Sequence, residues 1–507
     1  MLRTADATQL GVLSGLNMKT VLLDVRQMAQ AGRLSVAAGI SGIALMHNAG
    51  RAVAREIQLR WSPRTVTVLC GPGNNGGDGF VVALQLADAG WPVRLALLGV
   101  REDLRGEAAY HAALWHGPVE LVSHAVLQGA ELVVDALFGA SLTRALHGPA
   151  AETLVASAEK QLPIVAIDVP SGLMGDTGEA MGAVPAALTV TFFRKKPGHV
   201  LMPGRILCGE LVLADIGTPE SVLTQMQPDT FENDPALWPA QLAQPRPGGN
   251  KYTRGHALVY GAYPMTGAAR MAARAAARMG VGMTTIVVPE VALPVYAAAL
   301  TSIMVQSMAG LPDLQRLLLD KRFTALLISP GAGANEATRQ AALAMLATGR
   351  ATLLDADAIT VFAGDPAALS RAIIGPCVIT PHDGEFDRVF EASGDKLTRA
   401  RAAARNCGAV VVLKGTDTVI TAPDGCAVIN SNAPPTLATA GAGDVLGGMV
   451  LGLLAQGMEP FLAASAAAWL HGAAATAFGP GLIAEDLPDL LPALLRSFFM
   501  PNTPSAQ

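Results

Sequence analysis

The chain has 507 residues, a length that predicts two to four domains, of which we expect two large ones. Hydrophobic residues make up 51% of the chain and charged residues 15%, which indicates extensive buried surface and excludes an intrinsically disordered protein. The net charge of −5 and the absence of lysine or arginine runs argue against a nucleic-acid partner.

The cysteines and the N-terminus indicate the compartment. Five cysteines without a C-x-x-C pair support neither a disulfide framework nor a zinc site and suggest buried, reduced thiols. They are Cys70, Cys208, Cys377, Cys407 and Cys426. The N-terminus lacks a continuous apolar segment, and runs such as Val445–Leu454 are shorter than the roughly 18 residues of a membrane span. We therefore expect a cytoplasmic protein with no signal peptide and no membrane partner.

Short apolar segments, each followed by glycine and an alanine-rich stretch, predict an α/β fold. Their continuous hydrophobicity is typical of parallel strands that are covered on both faces. The segments are 65–73, 131–139, 163–172, 325–333, 351–358 and 409–416. Ligands of such sheets bind at the carboxyl ends of the strands, where the polar residues of interest in this chain also lie.

The strand-helix alternation lapses between residues 217 and 250, a stretch with six prolines. Such a composition is typical of a linker. We predict one α/β domain over 1–225, a linker over 226–250 and a second α/β domain over 251–507.

The first glycine-rich stretch, CGPGNNGGDG, follows a predicted strand and precedes a predicted helix. Its glycines leave the backbone open to a phosphate or ribose, and Asn74, Asn75 and Asp78 offer amide and carboxylate groups. Its spacing differs from that of the conventional dinucleotide fingerprint. An asparagine-glycine turn without a ligand is the alternative interpretation.

Two further strand ends supply the carboxylates Asp135 and Asp168, the second followed by Ser171. A carboxylate that ends a buried strand must be hydrogen-bonded, paired or bound to a cation, so these residues favour a shared site. Asn75, Asp135 and Ser171 would be hard oxygen ligands, suited to an alkali or alkaline-earth ion. Asp168 remains as a candidate acid or base.

The motifs GNNGGDGFVVA, VVDALFG and AIDVPSG, in this order, resemble the N-terminal domain of the NAD(P)H-hydrate epimerase family. The resemblance implies a Rossmann-like three-layer fold and a potassium ion held by Asn75, Asp135 and Ser171. It also implies that the hydrated dinucleotide contacts Asn74, Asn75, Gly76, Gly77, Asp78, Gly139, Ala140, Ser141, Leu142, Thr143, Arg144, Ala145 and Asp168. Family members commonly have Thr-Gly in place of Ala140-Ser141, so the conformational freedom of this loop is narrower here.

The second predicted domain begins with a strand, a turn at Gly267–Ala268 and a helix that carries Arg270, Arg274 and Arg278 on one face. We interpret the arginines as a solvated face and the turn as a ligand contact. Gly333, in another strand-to-helix turn, is also placed to approach a ligand.

Two polar clusters follow later strands. TPHDGE brings together His382, Asp383 and Glu385, a density that suggests chemistry although a single histidine is usually structural. LKGTDT places Lys414 on a loop with hydroxyl groups and can grip a nucleotide phosphate. A hairpin that carries a surface lysine is the alternative.

The stretch PTLATAGAGDVLGGMVLGLL places Asp444 in a turn of small residues before an apolar helix. Backbone N–H groups at a helix N-terminus form a cradle for phosphate. Asp444 is then either a helix-capping acid or a base that takes a proton from an attacking hydroxyl.

These later motifs, in order, resemble the ADP- or ATP-dependent NAD(P)H-hydrate dehydratase family of the ribokinase-like fold. The resemblance implies that the hydrated dinucleotide contacts Ala268, Gly333, His382 and Asp444. It implies that the nucleotide contacts Lys414, Gly415, Thr416, Asp417, Thr418 and Gly443. Ala442 replaces a threonine that relatives often have. We assign magnesium, through water, to Glu385.

We therefore expect a bifunctional enzyme that repairs hydrated NADH and NADPH. Its first domain would interconvert the R and S hydrates through Asp168, and its second would dehydrate the S form at the expense of ADP through Asp444. The choice of ADP follows from the resemblance alone. A ribokinase-type kinase and a dinucleotide-sensing module are the alternatives, and we expect a homo-oligomer.

Overall fold

The computed structural model describes residues 18–328 and 331–499. Within these residues the chain divides into two compact units, one formed by Val21–Thr230 and the other by the described residues from Phe231 onward together with residues 18–20. Each unit has a largely parallel sheet with helices packed around it, so the predicted α/β class is confirmed.

The first unit is built on a seven-stranded sheet in the order β3-β2-β1-β4-β5-β6-β7, with every recorded pairing parallel. Its strands are β1 Val66–Cys70, β2 Val93–Leu97, β3 Val119–Leu121, β4 Leu132–Ala136, β5 Ile164–Ile167, β6 Leu188–Phe192 and β7 Glu210–Ala214. Its helices are α1 Val25–Ala37, α2 Gly42–Arg60, α3 Asn74–Asp88, α4 Gly106–Leu114, α5 Gly148–Glu159, α6 Gly204–Leu207 and α7 Ser221–Met226. The strand order reverses direction at β1 and β4, the position where ligands bind in open parallel sheets.

Helices cover both faces of this sheet, as the continuous hydrophobicity predicted. Val68 of β1 packs in a core with Ile57 and Phe80 of α2 and α3. The next residue, Leu69, points into a separate core with Leu154 of α5. Successive side chains of a strand point to opposite faces, so each strand serves two cores.

The glycines of the first motif allow close packing of α3 onto the sheet. A methyl group added at Gly76 would lie 1.9 Å from the carbonyl oxygen of Gly71, and one at Gly79 would lie 2.6 Å from the side chain of Ala136. Asn74 to Asp78 therefore form the first turns of a helix held tightly against the ends of β1 and β4.

The second unit has a ten-stranded sheet in the order β11-β10-β9-β12-β13-β14-β15-β16-β17-β8. Its strands are β8 Thr230–Glu232, β9 His256–Tyr260, β10 Met283–Pro289, β11 Met304–Met308, β12 Ala325–Ile328, β13 Ala351–Leu354, β14 Cys377–Ile379, β15 Val410–Leu413, β16 Thr418–Thr421 and β17 Ala427–Asn430. Strands from β11 to β15 pair in parallel, whereas β15-β16 and β16-β17 are antiparallel. The strand order reverses between β9 and β12.

The helices of the second unit follow its strands and include two long apolar ones, α16 and α17. They are α8 Gly267–Arg278, α9 Leu293–Ala299, α10 Leu311–Leu317, α11 Glu336–Leu346, α12 Asp357–Thr360, α13 Pro366–Ala372, α14 Asp383–Val389, α15 Lys396–Cys407, α16 Ala442–Ala455, α17 Pro460–Phe478 and α18 Leu487–Phe499. By length and composition α17 could cross a membrane, but 72% of its most apolar window is buried inside the unit. It packs against β14 to β17, as a core helix does.

Part of the predicted linker is built into the second unit. Strand β8 lies at the edge of the large sheet beside β17. Short 3-10 turns follow at Pro235–Leu237 and Pro239–Gln241, and Trp238 between them is 1% exposed. Proline-rich composition did not reveal these contacts because a single buried tryptophan leaves little trace in the average composition.

Two smaller expectations concern side chains away from the sites. Arg274 and Arg278 on α8 form ion pairs with Asp489 of α18, and all three side chains are about half exposed, which agrees with a solvated face. Four of the five cysteines are buried and the fifth, Cys426, is of intermediate exposure.

Candidate active sites

In the first unit, Asp135 and Ser171 form a closed hydrogen-bonded pair. Asp135 ends β4, is 1% exposed, and accepts hydrogen bonds from the Ser171 amide at 2.8 Å and the Ser171 hydroxyl at 2.6 Å. The Leu137 amide donates a further bond to the same carboxylate at 3.2 Å. Burial raises the pKa of Asp135 despite these donors. The structure thus brings together two of the three predicted potassium ligands.

Asn75, Gly139 and Asp168 meet at one point near the end of β4. A methyl group added at Gly139 would lie 3.4 Å from Asp168 Oδ2 and 3.5 Å from Asn75 Oδ1. The Asn75 Nδ2 atom is buried and has no hydrogen-bond partner among residues 18–328 and 331–499. An amide left unsatisfied at such a place indicates a position for a ligand or water.

Asp168 is held in an unusual conformation by several neighbours. Its φ angle is +68°, in the left-handed region that costs free energy for a residue with a side chain. Lys196 Nζ lies 2.5 Å from Asp168 Oδ1, and the Thr191 hydroxyl donates to the same oxygen at 3.1 Å. The Ala140 amide lies 3.3 Å from Oδ2. His199 Nε2 lies 2.8 Å from the Asp168 carbonyl oxygen and fixes the backbone.

The surroundings of Asp168 and Asp78 shift the pKa values of these two carboxyl groups in opposite directions. Burial alone would raise the pKa of Asp168, but the positive charge of Lys196 and its hydrogen bond hold the pKa below its usual value. Burial and the negative charge of Asp168 raise the pKa of Asp78 well above the usual value. The pKa values of the two carboxyl groups are thus shifted in opposite directions, an arrangement typical of acid-base sites.

The predicted dinucleotide loop is only partly gathered at Asp168. Gly139 and Ala140 contact the carboxylate region as described. Ser141, Thr143, Arg144 and Ala145 are exposed and Leu142 is half-buried. Asn74 is also exposed, at the first position of α3. These exposed residues stay predicted contacts of a bound dinucleotide.

In the second unit, Asp355 and Lys414 form a buried ion pair that acts electrostatically on the candidate base Asp444. The sequence analysis did not identify Asp355. Asp355 follows β13 and is 1% exposed. Lys414 Nζ lies 2.8 Å from Asp355 Oδ1, and the Thr380 hydroxyl donates to the same atom at 2.8 Å. The rule that identified Asp135 and Asp168, a carboxylate that ends a buried strand, would also have found Asp355.

Asp444 lies in the first turn of α16, directly after the glycine turn. Gly441 precedes the helix with φ +89°, and a methyl group added at Gly443 would lie 3.5 Å from Lys414 Nζ. Burial, and then the negative charge of Asp355, raise the pKa of Asp444 to about 7, while Lys414 opposes the shift. The carboxyl can therefore gain and lose a proton near neutral pH, as a general base requires.

Lys414 stays charged because carboxylates surround it. Burial would lower its pKa, but the charges of Asp355, Glu385 and Asp444 outweigh burial and raise the pKa. Residues 414–417 connect the antiparallel strands β15 and β16, so the hairpin alternative is right about the backbone. It is wrong about the lysine, whose side chain is 19% exposed and paired.

His382 and Glu385 form a capping box at the start of α14. The His382 amide donates to Glu385 Oε2 at 3.0 Å, and the Glu385 amide donates to His382 Nδ1 at 3.3 Å. The Lys414 amide donates to the carbonyl of Pro381 at 2.8 Å, which places His382 beside the lysine loop. Glu385 is largely buried, while more than half of the His382 side chain is exposed and available to a substrate.

In the predicted nucleotide-binding loop, residues 414–418, the exposed part is mainly backbone, because the larger side chains point inward. Gly415 and Thr416 are exposed, whereas Asp417 and Thr418 are buried. Asp417 accepts from Lys396 Nζ at 2.7 Å, and the Thr418 hydroxyl accepts from the Gly415 amide at 3.2 Å. Asp417 and Thr418 therefore shape the loop from inside.

The glycine turn after β12 is fixed by Asp357, the first residue of α12. Asp357 Oδ2 accepts from the Gly333 amide at 2.9 Å and from the Gly331 amide at 3.1 Å. Ser329 and Pro330, at the start of this predicted turn, lie outside the described residues. Ala268 is half-buried in the first turn of α8, the helix that packs against α16.

The two predicted cation sites differ in what the structure shows. In the first unit Asp135 and Ser171 bond to each other, and the unsatisfied Asn75 Nδ2 is an N–H donor that suits an acceptor oxygen of a ligand, so the potassium set of Asn75, Asp135 and Ser171 stays a prediction. In the second unit three carboxylates face one lysine, so the site carries excess negative charge. No cluster of three or more histidine, cysteine or acidic ligands occurs among the described residues. Mg²⁺ keeps several waters and binds through phosphates, so it does not require such a cluster.

Comparison with known proteins agrees with both halves. Residues 42–198 match the family described as YjeF-related protein N-terminus, and residues 256–492 match the NAD(P)H-hydrate dehydratase family. The bifunctional NAD(P)H-hydrate repair enzyme Nnr of Moorella thermoacetica is 36% identical over 513 residues, covering 94% of this chain and 97% of the relative. The enzyme of the same name from Salinibacter ruber is 36% identical and covers 91% of this chain and 93% of its own.

Among solved structures, the ADP/ATP-dependent NAD(P)H-hydrate dehydratase of Bacillus subtilis, co-crystallised with ATP and Mg²⁺, is 31% identical. It covers 51% of this chain and 95% of its own, with a TM-score of 0.45. The resemblance that the motifs carried is confirmed by relatives that span nearly the whole sequence. The chain belongs to the family of bifunctional NAD(P)H-hydrate repair enzymes.

Proposed function

We propose that the two units carry out successive steps of one repair. The first unit interconverts the R and S hydrates of NADH and NADPH. The second converts the S hydrate and ADP into NAD(P)H, AMP and phosphate. The dehydratase acts on the S hydrate only. Fusion with the epimerase lets the R hydrate be repaired as well, because the epimerase converts it to the S form.

The observation that carries the dehydratase is the carboxyl of Asp444 beside Lys414 at the N-terminus of α16. Asp444 takes the proton of the hydrate's hydroxyl as its oxygen attacks the β-phosphorus of ADP, so the O–P bond forms and AMP leaves. The lone pair of the ring nitrogen then expels phosphate, and loss of a proton from the adjacent carbon restores the reduced ring. Phosphate is a far better leaving group than hydroxide.

The remaining residues of this site bind and orient. The backbone amides around Gly443 and the Lys414 ammonium hold phosphate, and the loop from Gly415 to Thr418 holds the nucleotide. Ala268, Gly333 and His382 contact the hydrated dinucleotide. Glu385 would hold Mg²⁺ through a water, and the ion would supply neutralisation of the charge on the phosphates.

In the first unit, Asp168 is the group that exchanges a proton with the hydrated ring. Asn74 to Asp78 and the loop from Gly139 to Ala145 contact the dinucleotide, and Asn75, Asp135 and Ser171 hold potassium. Inverting the carbon that bears the hydroxyl requires breaking and remaking a bond, and a base and an acid must serve both directions. Asp168, whose pKa is lowered by Lys196, serves as the base, and Asp78, whose pKa is raised by burial, serves as the acid.

The test uses purified S and R hydrates with ADP, ATP or neither, followed by the absorbance of reduced nicotinamide. With ADP we expect the wild type to convert both hydrates. Asp168→Asn should still convert the S hydrate but not the R hydrate, and Asp444→Asn should convert neither. Accumulation of a stable phosphorylated product would instead identify a kinase, and unchanged R conversion by Asp168→Asn would remove Asp168 from the mechanism.

Three further properties are part of the proposal. Replacing potassium with a larger organic cation should slow epimerisation and leave dehydration of the S hydrate unchanged. We propose a cytoplasmic location because four of the cysteines are buried as free thiols and form no disulfide bond. We also propose a homo-oligomer, which light scattering on the purified protein would test directly.

A further inference from the structure

The two carboxylate oxygens of Asp168 have different surroundings. Oδ1 accepts from Lys196 Nζ at 2.5 Å and from the Thr191 hydroxyl at 3.1 Å. Lys196 Nζ also donates to Thr191 Oγ1 at 3.1 Å, so the three groups form a closed triangle. Among residues 18–328 and 331–499, Oδ2 has one donor, the Ala140 amide at 3.3 Å, and it lies on the side of Gly139, 3.4 Å from the position of a methyl group added there.

Lys196 cannot itself reach a substrate. Its side chain is 3% exposed, compared with 19% for Asp168. Its amide donates to His199 Nδ1 at 2.9 Å, so Nε2 of that ring carries the proton and donates to the Asp168 carbonyl oxygen at 2.8 Å. The segment Lys196–His199 therefore fixes both the backbone and the carboxylate of Asp168 from behind.

We propose that Lys196 and Thr191 are positioning residues for epimerisation, which occupy Asp168 Oδ1 so that Oδ2 alone exchanges the proton with the hydrated ring. The proposal rests on the proposed epimerase function and identifies the working atom of its catalytic residue. Thr191 lies on β6 and Asp168 directly follows β5, and these strands are neighbours in the sheet, so the triangle is built into the fold.

The charged and titratable groups around Asp168 determine the effect of removing Lys196. Asp78 lies on α3, and Lys196 and His199 lie on the segment after β6. The negative charge of Asp168 also contributes to the raised pKa of the Cys208 thiol. Burial lowers the pKa of His199 to about 3, so this ring is neutral and Lys196 supplies the stabilising positive charge. Without Lys196, burial would raise the pKa of Asp168.

The test compares Lys196→Met, Thr191→Val and the control Lys195→Met in the full chain. Lys195→Met removes the neighbouring positive charge but leaves the Asp168–Lys196 pair in place. We expect the acidic limb of the epimerase pH profile to move to higher pH in Lys196→Met, with kcat reduced about 10- to 100-fold and KM little changed. Thr191→Val should lower kcat less, and Lys195→Met should match the wild type.

A second measurement does not depend on activity. Carbon-13 labelling of the aspartate carboxyl groups, with the Asp168 signal assigned by its loss in Asp168→Asn, gives the pKa of this group directly. A raised pKa of Asp168 in Lys196→Met with an upward shift of the acidic limb supports the proposal. If the pKa of Asp168 is the same in Lys196→Met and the wild type, the proposal is wrong. It is also wrong if that pKa is raised but the acidic limb of the epimerase pH profile does not move.

These outcomes are separable from failure of the proposed function. If the wild type shows no epimerisation, the function of the first unit is wrong, whatever the titration shows. If epimerisation is present and Lys196→Met retains the wild-type profile, the positioning role alone is wrong. Loss of folding is detected by the unfolding midpoint of each variant, and Thr191→Val, which retains the ion pair, keeps the test open if Lys196→Met does not fold.

Discussion

Asp444 is the residue whose titration should be visible in the reaction at physiological pH. Its pKa is raised to about 7 by burial and by Asp355. Because the base must be ionised, we expect the rate of ADP-dependent dehydration to fall as pH drops through about 7. Asp444→Asn should reduce kcat by about 10²-fold or more, whereas the exposed Asp489→Asn should not. A flat pH profile under conditions where chemistry limits kcat would contradict the assignment.

The same shift predicts the sign of a stability effect. Asp444 binds its proton more tightly in the folded than in the unfolded chain, so stability falls as pH rises from about 4 to about 7. Above that range the folded state carries the full cost of the buried charge. Asp444→Asn should therefore raise the melting temperature of the second unit at alkaline pH and change it little at acidic pH, as differential calorimetry of the unliganded protein would show.

The Asp355–Lys414 pair should behave differently. Asp355 is almost fully buried, so Lys414→Met leaves a charge without its partner and should destabilise the second unit by about 3–5 kcal/mol in urea unfolding. Adding Asp355→Asn to that variant should recover part of the loss in stability, but not the activity. Equal stability of the wild type and Lys414→Met would show that the pair is not buried in solution.

Whether a residue could be predicted from the sequence depended on where its partner came from. Asp168 follows a continuous apolar segment and Asp444 follows a glycine turn, so both could be identified from the residues next to them in the sequence. Lys196 acts on Asp168 only because β5 and β6 are adjacent, and Lys414 meets Asp355 across β13, β14 and β15. Such partners depend on strand order, which neither composition nor spacing fixes.

At the scale of elements, α8 and α16 pack backbone to backbone. A methyl group added at Gly448 would lie 2.1 Å from the carbonyl oxygen of Ala272, whereas one at Gly447 would meet nothing closer than Leu353 at 3.7 Å. Gly448→Ala must push the helices apart, which should destabilise the unit by about 1–3 kcal/mol and raise KM for the hydrate.

Gly447→Ala is the matched control for this prediction. It adds the same atom to the same helix and should leave stability unchanged or raise it by about 0.5–1 kcal/mol through helix propensity. Chemical denaturation and steady-state kinetics of the two variants would check the pair. Equal effects would mean that the close approach of α8 and α16 does not matter.

Glycine patterns show how far elements could be predicted. The segments at β1, β4, β12 and β13 are followed by helices, as expected, whereas β5 leads to β6 and β15 leads to β16 without a helix between them. The reasons for the glycines were not all foreseen: Gly76 and Gly79 are required by helix-sheet packing. Sequence alone cannot distinguish a glycine that admits a ligand from one that admits a neighbouring backbone, because both need the same missing side chain.

At the scale of the whole molecule, the chain should be divisible. We expect a fragment of residues 228–507 to fold and dehydrate the S hydrate with ADP, since it retains β8 and Trp238. A fragment of 251–507 loses that strand and the packing of Trp238 on Trp469 and Phe498. This shorter fragment should unfold at a lower urea concentration. Its free energy of unfolding should be lower by about 3–5 kcal/mol or more. Equal midpoints would show that residues 228–250 only connect the two halves.

The thiol groups of this chain are poor targets for peroxide. Burial raises the pKa of Cys208 to about 12 and of Cys407 to about 11, and burial also raises the pKa of Cys70 and Cys377, so the reactive thiolate is scarce at neutral pH. Only Cys426 is accessible to an oxidant to a moderate degree. An enzyme that restores chemically altered coenzymes is thus itself shielded from one common form of chemical damage.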